Sequence, residues 1–520
     1  MRRFTFVKNA FILTGTSLLL RTVGMFFRVY LSNKIGAEGM GLYQLVFSIY
    51  VLASTFAISG ISTGVTRLVA EQAGHGTRRS TRQILRRAVM LSLSAGILSA
   101  LIVISGADTI ARYGLGDIRA VPALKILSLG LPFMGISSCL RGYFIARRRV
   151  SYSTNAQLIE QLVRIVIIFL IIDRFASKGI SAACAAVMIG DTVAETASCL
   201  ILAMSYFIDR RRLPATVSGG QAKGKPRILR RLLAIALPIS AARYLNTALR
   251  TIENLLVPNC LAKFSKSRER ALSEFGMLKG MALPILFFPS SFLSAFSTLL
   301  IPEITEASAL GQTEKVERAV THSLRITLLL SIPISGVFIM FSSRLGMIIY
   351  RSEEVGFLIG VLAPIMPFMY LESVVDGLLK GLDQQVSSLK YSMLDSVLRI
   401  SAIIFLVPTR GIKGFLFIMI VSNILTSSLN IRRLLVVTGV GMRWGQWVLK
   451  PLLAIVTSGV VTAGLQHIIN GRSLPIPVVI LALSAVMLLM YAVLLYMFGS
   501  ISPADFKWAG RTKTQSRKRS

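Results

Sequence analysis

The sequence predicts an all-α polytopic membrane protein of about 14 transmembrane helices, arranged as two six-helix lobes of parallel topology with two extra C-terminal helices. Of its 520 residues, 53% are hydrophobic and 16% charged, and the mean hydropathy is +0.67. This composition is far too apolar for a soluble domain. Apolar runs of about 20 residues recur along the chain, and the pattern of the first half returns in the second.

Each predicted helix is an apolar run long enough to cross a hydrocarbon core of about 30 Å. The runs lie at 9–31, 40–66, 86–106, 121–146, 152–172, 179–208, 230–257, 276–301, 319–342, 355–380, 387–407, 414–437, 448–469 and 475–498. Most Lys and Arg residues fall in alternate connections, on the side that holds the N-terminus. We therefore expect a plasma-membrane protein with both termini in the cytoplasm, and basic loops that contact anionic membrane lipids.

An internal repeat organises the chain. Adding 235 to a residue number takes Pro132-Phe133-Met134 to Pro367-Phe368-Met369 and Gly41 to Gly276, whereas the first helix of each half follows an offset nearer 222. Six helices is an even number, so the two halves should have parallel topology with a cavity between them. The predicted domains are an N-lobe at 1–213, a basic cytoplasmic linker at 214–228, a C-lobe at 229–440, helices 13 and 14 at 441–500, and a basic cytoplasmic tail at 501–520.

Several function classes lack their sequence signals. The net charge of +35 comes from basic residues between apolar runs, without a basic patch interleaved with exposed aromatics, so we expect no nucleic-acid partner. The four cysteines and three histidines lack metal-ligand or redox spacing, which predicts no metal site. There is no GxxxxGK[ST] loop for ATP hydrolysis, and we expect no cofactor.

Arginines inside predicted helices are the strongest candidates for a binding site. Arg21 lies about 18 Å into its helix, near mid-bilayer, and Arg28 follows on the same face. Their repeat partners are Arg243 and Arg250. Because such charges are costly in lipid, they indicate a wet, cationic cavity between the lobes; snorkelling or internal ion pairs are the alternatives. Two further basic residues are weaker candidates, one at a helix end and one in the eighth helix. The candidate substrate-binding set is therefore Arg21, Arg28, Arg243, Arg250, Arg67 and Lys279.

Acidic residues in the sixth helix suggest ion coupling. Asp191 and Glu195 are one turn apart, and two adjacent carboxylates repel each other unless they share a cation or a proton. Their repeat partners are the neutral Thr426 and Asn430. We predict a coupling site for a proton or sodium ion here; the alternative is pairing with arginines such as Arg164.

Oppositely charged residues in the predicted helices are expected to form ion pairs, which would either hold helices together or close a gate. Glu160 with Arg164, and Asp395 with Arg399, are spaced i,i+4 on one helical face and are expected to tie neighbouring helices. Arg141 and Asp376 are repeat equivalents of opposite sign. They are predicted either to close a cytoplasmic gate or to be separate surface charges.

Five stretches resemble a known family: LLLRTVGMFFRVYLSNKIGAEGMGLYQL, GISTGVTRLVAE, LRGYFIARRR, QLIEQLVRI and GLLKGLDQQVSS. They are similar to the stage V sporulation protein B branch of the polysaccharide exporters, relatives of the lipid II flippases. The resemblance implies the fold of the multidrug and oligosaccharidyl-lipid exporter superfamily and a substrate such as an undecaprenyl-pyrophosphate-linked sugar. It also implies that Arg21 and Arg28 face a cationic central cavity, and a role in peptidoglycan or spore cortex assembly.

Together these observations predict a transporter rather than an enzyme, namely an alternating-access flippase for a lipid II-like, lipid-linked saccharide. Cell-wall synthesis proteins are expected as partners. A competing hypothesis is a cation-coupled multidrug antiporter of the same superfamily, although such a site needs a carboxylate and the recurring charges here are arginines. A membrane glycosyltransferase or polymerase would need acidic or histidine clusters on a sizeable loop. A non-transporting scaffold is the last hypothesis that the sequence leaves open.

Overall fold

The computed structural model describes residues 2–58, 60–72, 78–211, 228–469 and 475–500, and these residues form helices and no strand. The predicted linker, except its last residue, and the predicted tail lie outside them. The α-helices are α1 (Arg2–Ile58), α2 (Ile61–Gln72), α3 (Arg78–Ser105), α4 (Ala107–Thr109), α5 (Val121–Ser128), α6 (Leu131–Ala146), α7 (Val150–Ala176), α8 (Ile180–Arg211), α9 (Ile228–Ser265), α10 (Arg268–Gly276), α11 (Leu283–Phe287), α12 (Ser290–Ala309), α13 (Thr313–Tyr350), α14 (Glu353–Leu362), α15 (Met366–Gly381), α16 (Gln385–Thr438), α17 (Lys450–Ile469) and α18 (Ile476–Met497). Tighter or wider helical turns occur at Ile110–Leu115, Ile118–Ala120, Met277–Ala282, Ala363–Ile365 and Gly445–Leu449.

The all-helical, multi-pass architecture expected from the sequence is confirmed. Within the described ranges, 10 helices are long and apolar enough to cross a membrane, or up to 11 if the pair α5 and α6, bent by 43° before Pro132, is one span. The predicted run 276–301 is not among them, because the chain there is divided into α10, a wide turn, α11 and α12. The number of 14 spans stays a prediction.

Two of these helices are too long for a single crossing. At a rise of about 1.5 Å per residue, the 57 residues of α1 would span about 85 Å, more than twice the hydrocarbon core. Each long helix is broken at one glycine: Gly36 in α1 has φ 74° and ψ 177°, and Gly411 in α16 has φ 60° and ψ −144°. Glycine suits these positions because positive φ is costly for other residues. The breaks fall between two predicted runs in each case.

The chain forms two compact units. Unit 1 comprises residues 1–284 and 393–418, and unit 2 comprises 285–392 and 419–520. The core of unit 1 joins α2, α3, α6, α8 and α9 through buried side chains that include Val65, Ala88, Tyr143 and Leu232. In unit 2, Phe341 of α13 packs with Ile480 and Leu483 of α18. The units group residues by contact, and the predicted lobe boundaries stay a prediction.

A helix crossing inside unit 1 joins two repeat-related glycines. Gly41 of α1 lies against Leu272 of α10, and Gly276 of α10 lies against Ala37 of α1, so closely that a Cβ at either glycine would overlap the facing backbone. Small residues allow helix backbones in membranes to approach to this distance. Equivalent residues of two repeats meet where a pseudo-two-fold axis passes, so the contact agrees with the parallel repeat.

Candidate functional site

The four arginines predicted on the first helix of each repeat lie on α1 and α9, both in unit 1. Arg21, Arg243 and Arg250 are exposed, and Arg28 is half-buried. Within the described part of the chain, none of the four forms an ion pair or a side-chain hydrogen bond. Glu253 nevertheless lies close enough to Arg250 for an electrostatic interaction, so internal neutralisation stays an alternative for Arg250.

Neighbouring elements fix the positions of these two helices. Between Arg21 and Arg28, a Cβ at Gly24 would lie 4.0 Å from Nε2 of Gln161 on α7. On α9, Asn254 Nδ2 donates to Ser48 Oγ of α1 at 3.1 Å. Hydrogen bonds between polar side chains hold helices together inside a bilayer. The arginines thus project from well-anchored helices.

The other two predicted binding residues differ from these four. Arg67 is exposed and pairs with Glu71, one turn later on α2, at 3.3 Å; Glu71 also binds Arg231 at 2.7 Å. This is the arrangement of a helix-end anchor. Lys279 lies in the wide turn at Met277–Ala282, 3.7 Å from Glu253, with its ammonium 5.9 Å from the ring centre of Phe415.

A first charge cluster, defined as Arg141, Glu160, Arg164, Asp191 and Glu195, joins α6, α7 and α8. Arg164 donates from Nε to Asp191 at 2.6 Å and from Nη2 to Glu160 at 3.1 Å. Arg141 donates from Nη2 to Glu160 at 2.7 Å. Glu195 is buried, and its Oε1 atom has no hydrogen-bond partner in the described residues. The predicted Glu160–Arg164 pair is present, and Asp191 adopts the alternative left open for it, pairing with Arg164.

A second charge cluster, defined as Glu253, Lys279, Asp395 and Arg399, lies in the same unit. Arg399 donates from Nη1 to both carboxylate oxygens of Glu253, at 3.0 and 3.2 Å. The predicted pair of Arg399 with Asp395 is present at 3.5 Å. Arg250 is also close enough to act electrostatically on Glu253 and Lys279. Three helical segments are therefore linked around one buried glutamate, with one of the candidate arginines beside it.

The two residues of the predicted gate have separate partners in their own units. Arg141 binds Glu160 and donates to Ser198 at 3.0 Å. Asp376 forms an ion pair with Lys380 and accepts a hydrogen bond from Ser388 at 2.9 Å. Local neighbours occupy both side chains, and the gate itself stays a prediction.

The sequence does not single out three carboxylates that are buried in the described residues, namely Asp117, Asp209 and Glu253. Glu253 is 5% exposed. Subtracting the repeat offset of 222 from its number gives Leu31, so the repeat does not predict an acidic residue at this position. Asp209 is fully buried at the end of α8, where Arg149 and Arg147 pair with it and Tyr143 donates to it at 2.7 Å. From the sequence, the basic run at 147–149 predicts only which side of the membrane the loop lies on. Its acidic partner, Asp209, is too far away along the chain to be predicted.

The helical, multi-pass fold and the comparisons with known proteins identify a polytopic transporter rather than an enzyme. The pattern of the family described as "Polysaccharide biosynthesis protein" matches residues 6–308, and the chain belongs to that family. Stage V sporulation protein B of Bacillus subtilis (strain 168) is 25% identical over 484 residues, which is 91% of this chain and 92% of that protein.

A second relative and a solved structure agree with this assignment. Lipid II flippase MurJ of Bacillus subtilis (strain 168) is 23% identical over 401 residues, 73% of each chain. The structure of lipid II flippase MurJ in an inward closed conformation matches with a TM-score of 0.70 at 13% identity, covering 94% of this chain and 98% of that one. The predicted resemblance to the stage V sporulation protein B branch is confirmed, and the fold is that of MurJ.

Proposed function

We propose that this protein is a flippase that moves a pyrophosphate-linked lipid saccharide, of the lipid II type, across the plasma membrane by alternating access. The observation that supports the proposal is the set of four arginines at repeat-equivalent positions on α1 and α9, none of which forms an ion pair in the described ranges. One of the two relatives, lipid II flippase MurJ, supports the same class of cargo. A role in cell-wall or spore cortex synthesis, with wall-synthesis proteins as partners, belongs to this proposal.

Membrane energetics favour a ligand for these arginines. An arginine near the centre of a spanning helix costs about 2.5 to 3.5 kcal/mol on insertion scales, and arginines that persist there face a wet cavity or a partner. Guanidinium groups stay protonated and bind phosphate oxygens through two parallel hydrogen bonds. A pyrophosphate head group offers oxygens to arginines from both repeats, while its lipid tail remains in the bilayer.

The remaining features fit a transport cycle. With both termini in the cytoplasm, as proposed from the distribution of basic residues, Gly36 falls at the outer surface and the crossing of Gly41 with Gly276 lies near the outer end of unit 1. The two lobes, 1–213 and 229–440, then rock about a cavity at membrane depth. A gradient of protons or sodium ions drives the cycle, with Asp191 and Glu195 of α8 as the coupling site.

Flipping of fluorescent lipid II in proteoliposomes tests the proposal. Arg21→Ala and Arg243→Ala should each abolish flipping while preserving insertion, because removing an intramembrane charge lowers the insertion cost. Arg21→Lys keeps the charge and loses the two-pronged donor, so its activity should be intermediate. The matched control is Arg318→Ala, which removes an exposed arginine paired with Glu314 on α13. Flipping by both alanine variants at the rate of this control would overturn the cargo assignment.

A further inference from the structure

The first charge cluster contains one more acid than its bases can pair. Arg164 divides its donors among Glu160, Asp191 and Gln161, whose Oε1 accepts at 2.7 Å. Arg141 donates hydrogen bonds from Nη2 to Glu160 and Ser198. Two guanidinium groups therefore face three carboxylates. None of the hydrogen bonds that they donate goes to Glu195.

Burial makes the position of Glu195 demanding. The residue is 6% exposed, and its Oε1 atom is shielded and has no hydrogen-bond donor within the described ranges. An ionised carboxylate in that condition is strongly unfavourable, whereas a protonated one does not carry the charge. The titratable, charged and hydroxyl groups that face Glu195 are Tyr50 of α1, Ser137 and Arg141 of α6, Glu160 and Arg164 of α7, and Asp191 and Cys199 of α8.

The second repeat has a permanently neutral group at the equivalent position. Adding 235 to Glu195 gives Asn430, which is 1% exposed and whose Oδ1 atom also lacks a partner in the described ranges. An amide has nearly the shape of a protonated carboxyl group and cannot ionise. The fold therefore accepts a neutral side chain at this position, and only the first repeat has one that can change its charge.

We propose that Glu195 is the site at which this transporter takes up and releases one proton in each cycle. The inference rests on the proposed transport function and narrows its coupling site from two acids to one. The proton comes from water on one side of the membrane, resides on Glu195 while the group is sealed from solvent, and leaves to water on the other side when the pocket opens. Asp191 differs from Glu195 because Arg164 pairs with it at 2.6 Å.

The surroundings favour a proton over a sodium ion. A hard cation needs several oxygen ligands arranged around it. Both oxygens of Glu160 and Oδ1 of Asp191 are already engaged by Arg141 and Arg164, whereas Oδ2 of Asp191 has no hydrogen-bond partner in the described ranges. The two guanidinium groups repel a second positive charge. A proton needs a single oxygen, and Oε1 of Glu195 provides one on a carboxylate that forms no ion pair in the described residues.

Covalent labelling measures the proposed protonation without any transport. Dicyclohexylcarbodiimide reacts with protonated carboxyl groups in apolar surroundings, and peptide mass spectrometry locates the adduct. We expect the label on Glu195 of the purified full-length protein, with loss of labelling as the pH rises, and none on Asp191. Glu195→Gln should remove the adduct from this peptide. No label on Glu195 at any pH, or loss of label on adding sodium chloride at constant pH, would overturn the proposal.

Transport then connects the proton to the cycle. In proteoliposomes with fluorescent lipid II, an imposed pH gradient should accelerate flipping by the wild-type protein and have no effect on Glu195→Gln. The control Glu314→Gln, an exposed acid on α13, should respond as the wild type does. If the wild-type protein flips lipid II and Glu195→Gln responds to the pH gradient in the same way, the proton site is refuted and the proposed cargo is not. Absence of wild-type flipping refutes the proposed cargo, and the labelling result then still decides whether Glu195 holds a proton.

Discussion

The two charge clusters of unit 1 contain repeat-equivalent arginines with different partners. Arg164 and Arg399 each keep the acid one turn earlier, Glu160 or Asp395. The second acid differs: Arg164 takes Asp191 from α8, whereas Arg399 takes Glu253 from α9. The duplication has preserved the arginine and its local pair, and each half has supplied the longer-range partner independently.

This difference changes the charge balance of the clusters. The second cluster has two acids, Glu253 and Asp395, for the two bases Lys279 and Arg399, so its charges compensate. The first has three acids for two bases. A compensated cluster ties helices together, and an uncompensated one leaves a group that can exchange a proton. The comparison therefore separates a structural site from a titrating one within one fold.

The largest expected effect follows from breaking the second cluster at its centre. Glu253→Gln should reduce the free energy of unfolding by about 3 to 5 kcal/mol, because Arg399 would lose its closest carboxylate inside the protein. Thermal unfolding in detergent, followed with a thiol-reactive dye, provides the measurement, since Cys139, Cys184, Cys199 and Cys260 are all buried until the protein unfolds. An unchanged midpoint would mean that this glutamate does not hold the cluster together.

A double variant sharpens the same test. Replacing a whole buried ion pair by apolar side chains is often close to neutral, whereas removing one partner is not. Glu253→Met combined with Arg399→Met should therefore recover much of the stability lost in Glu253→Gln. A double variant less stable than the single one would show that Arg399 has a further important partner.

A smaller loss is expected from the equivalent change in the first cluster. Asp191→Asn removes one charge-assisted hydrogen bond from Arg164, worth about 1.5 to 3 kcal/mol. Arg164 keeps Glu160 and Gln161, so the loss should be less than that of Glu253→Gln in the same dye assay. Equal losses would indicate that the clusters are equivalent and that the asymmetry has no energetic basis.

Local spacing explains what could be predicted from the sequence. The pairs Glu160–Arg164 and Asp395–Arg399 were predicted because residues four apart meet on one helical face. The bond from Arg399 to Glu253 joins positions 146 residues apart, and no periodicity in the sequence connects them. The sequence offers the pairing of Asp191 with Arg164 only as one of two alternatives, because it depends on how α7 packs against α8.

Backbone geometry sets a similar limit on the fold. The apolar runs predicted an all-helical membrane protein, and Pro132 lies where α5 and α6 bend. The continuity of α1 through Gly36 could not be predicted, because one residue with positive φ lets two helices follow each other without a loop. The close approach of Gly41 and Gly276 was visible only as a matching pair in the repeat.

The smallest effect distinguishes the two local pairs that the repeat made equivalent. Asp395→Asn should cost only about 0 to 1 kcal/mol, because its carboxylate lies 3.5 Å from Arg399 and Glu253 supplies the shorter contacts. Glu160→Gln should cost more in the same dye assay, since Glu160 bridges Arg141 and Arg164 at 2.7 and 3.1 Å. If the two variants unfold at the same temperature, the second arginine that Glu160 binds adds nothing to the stability of the first cluster.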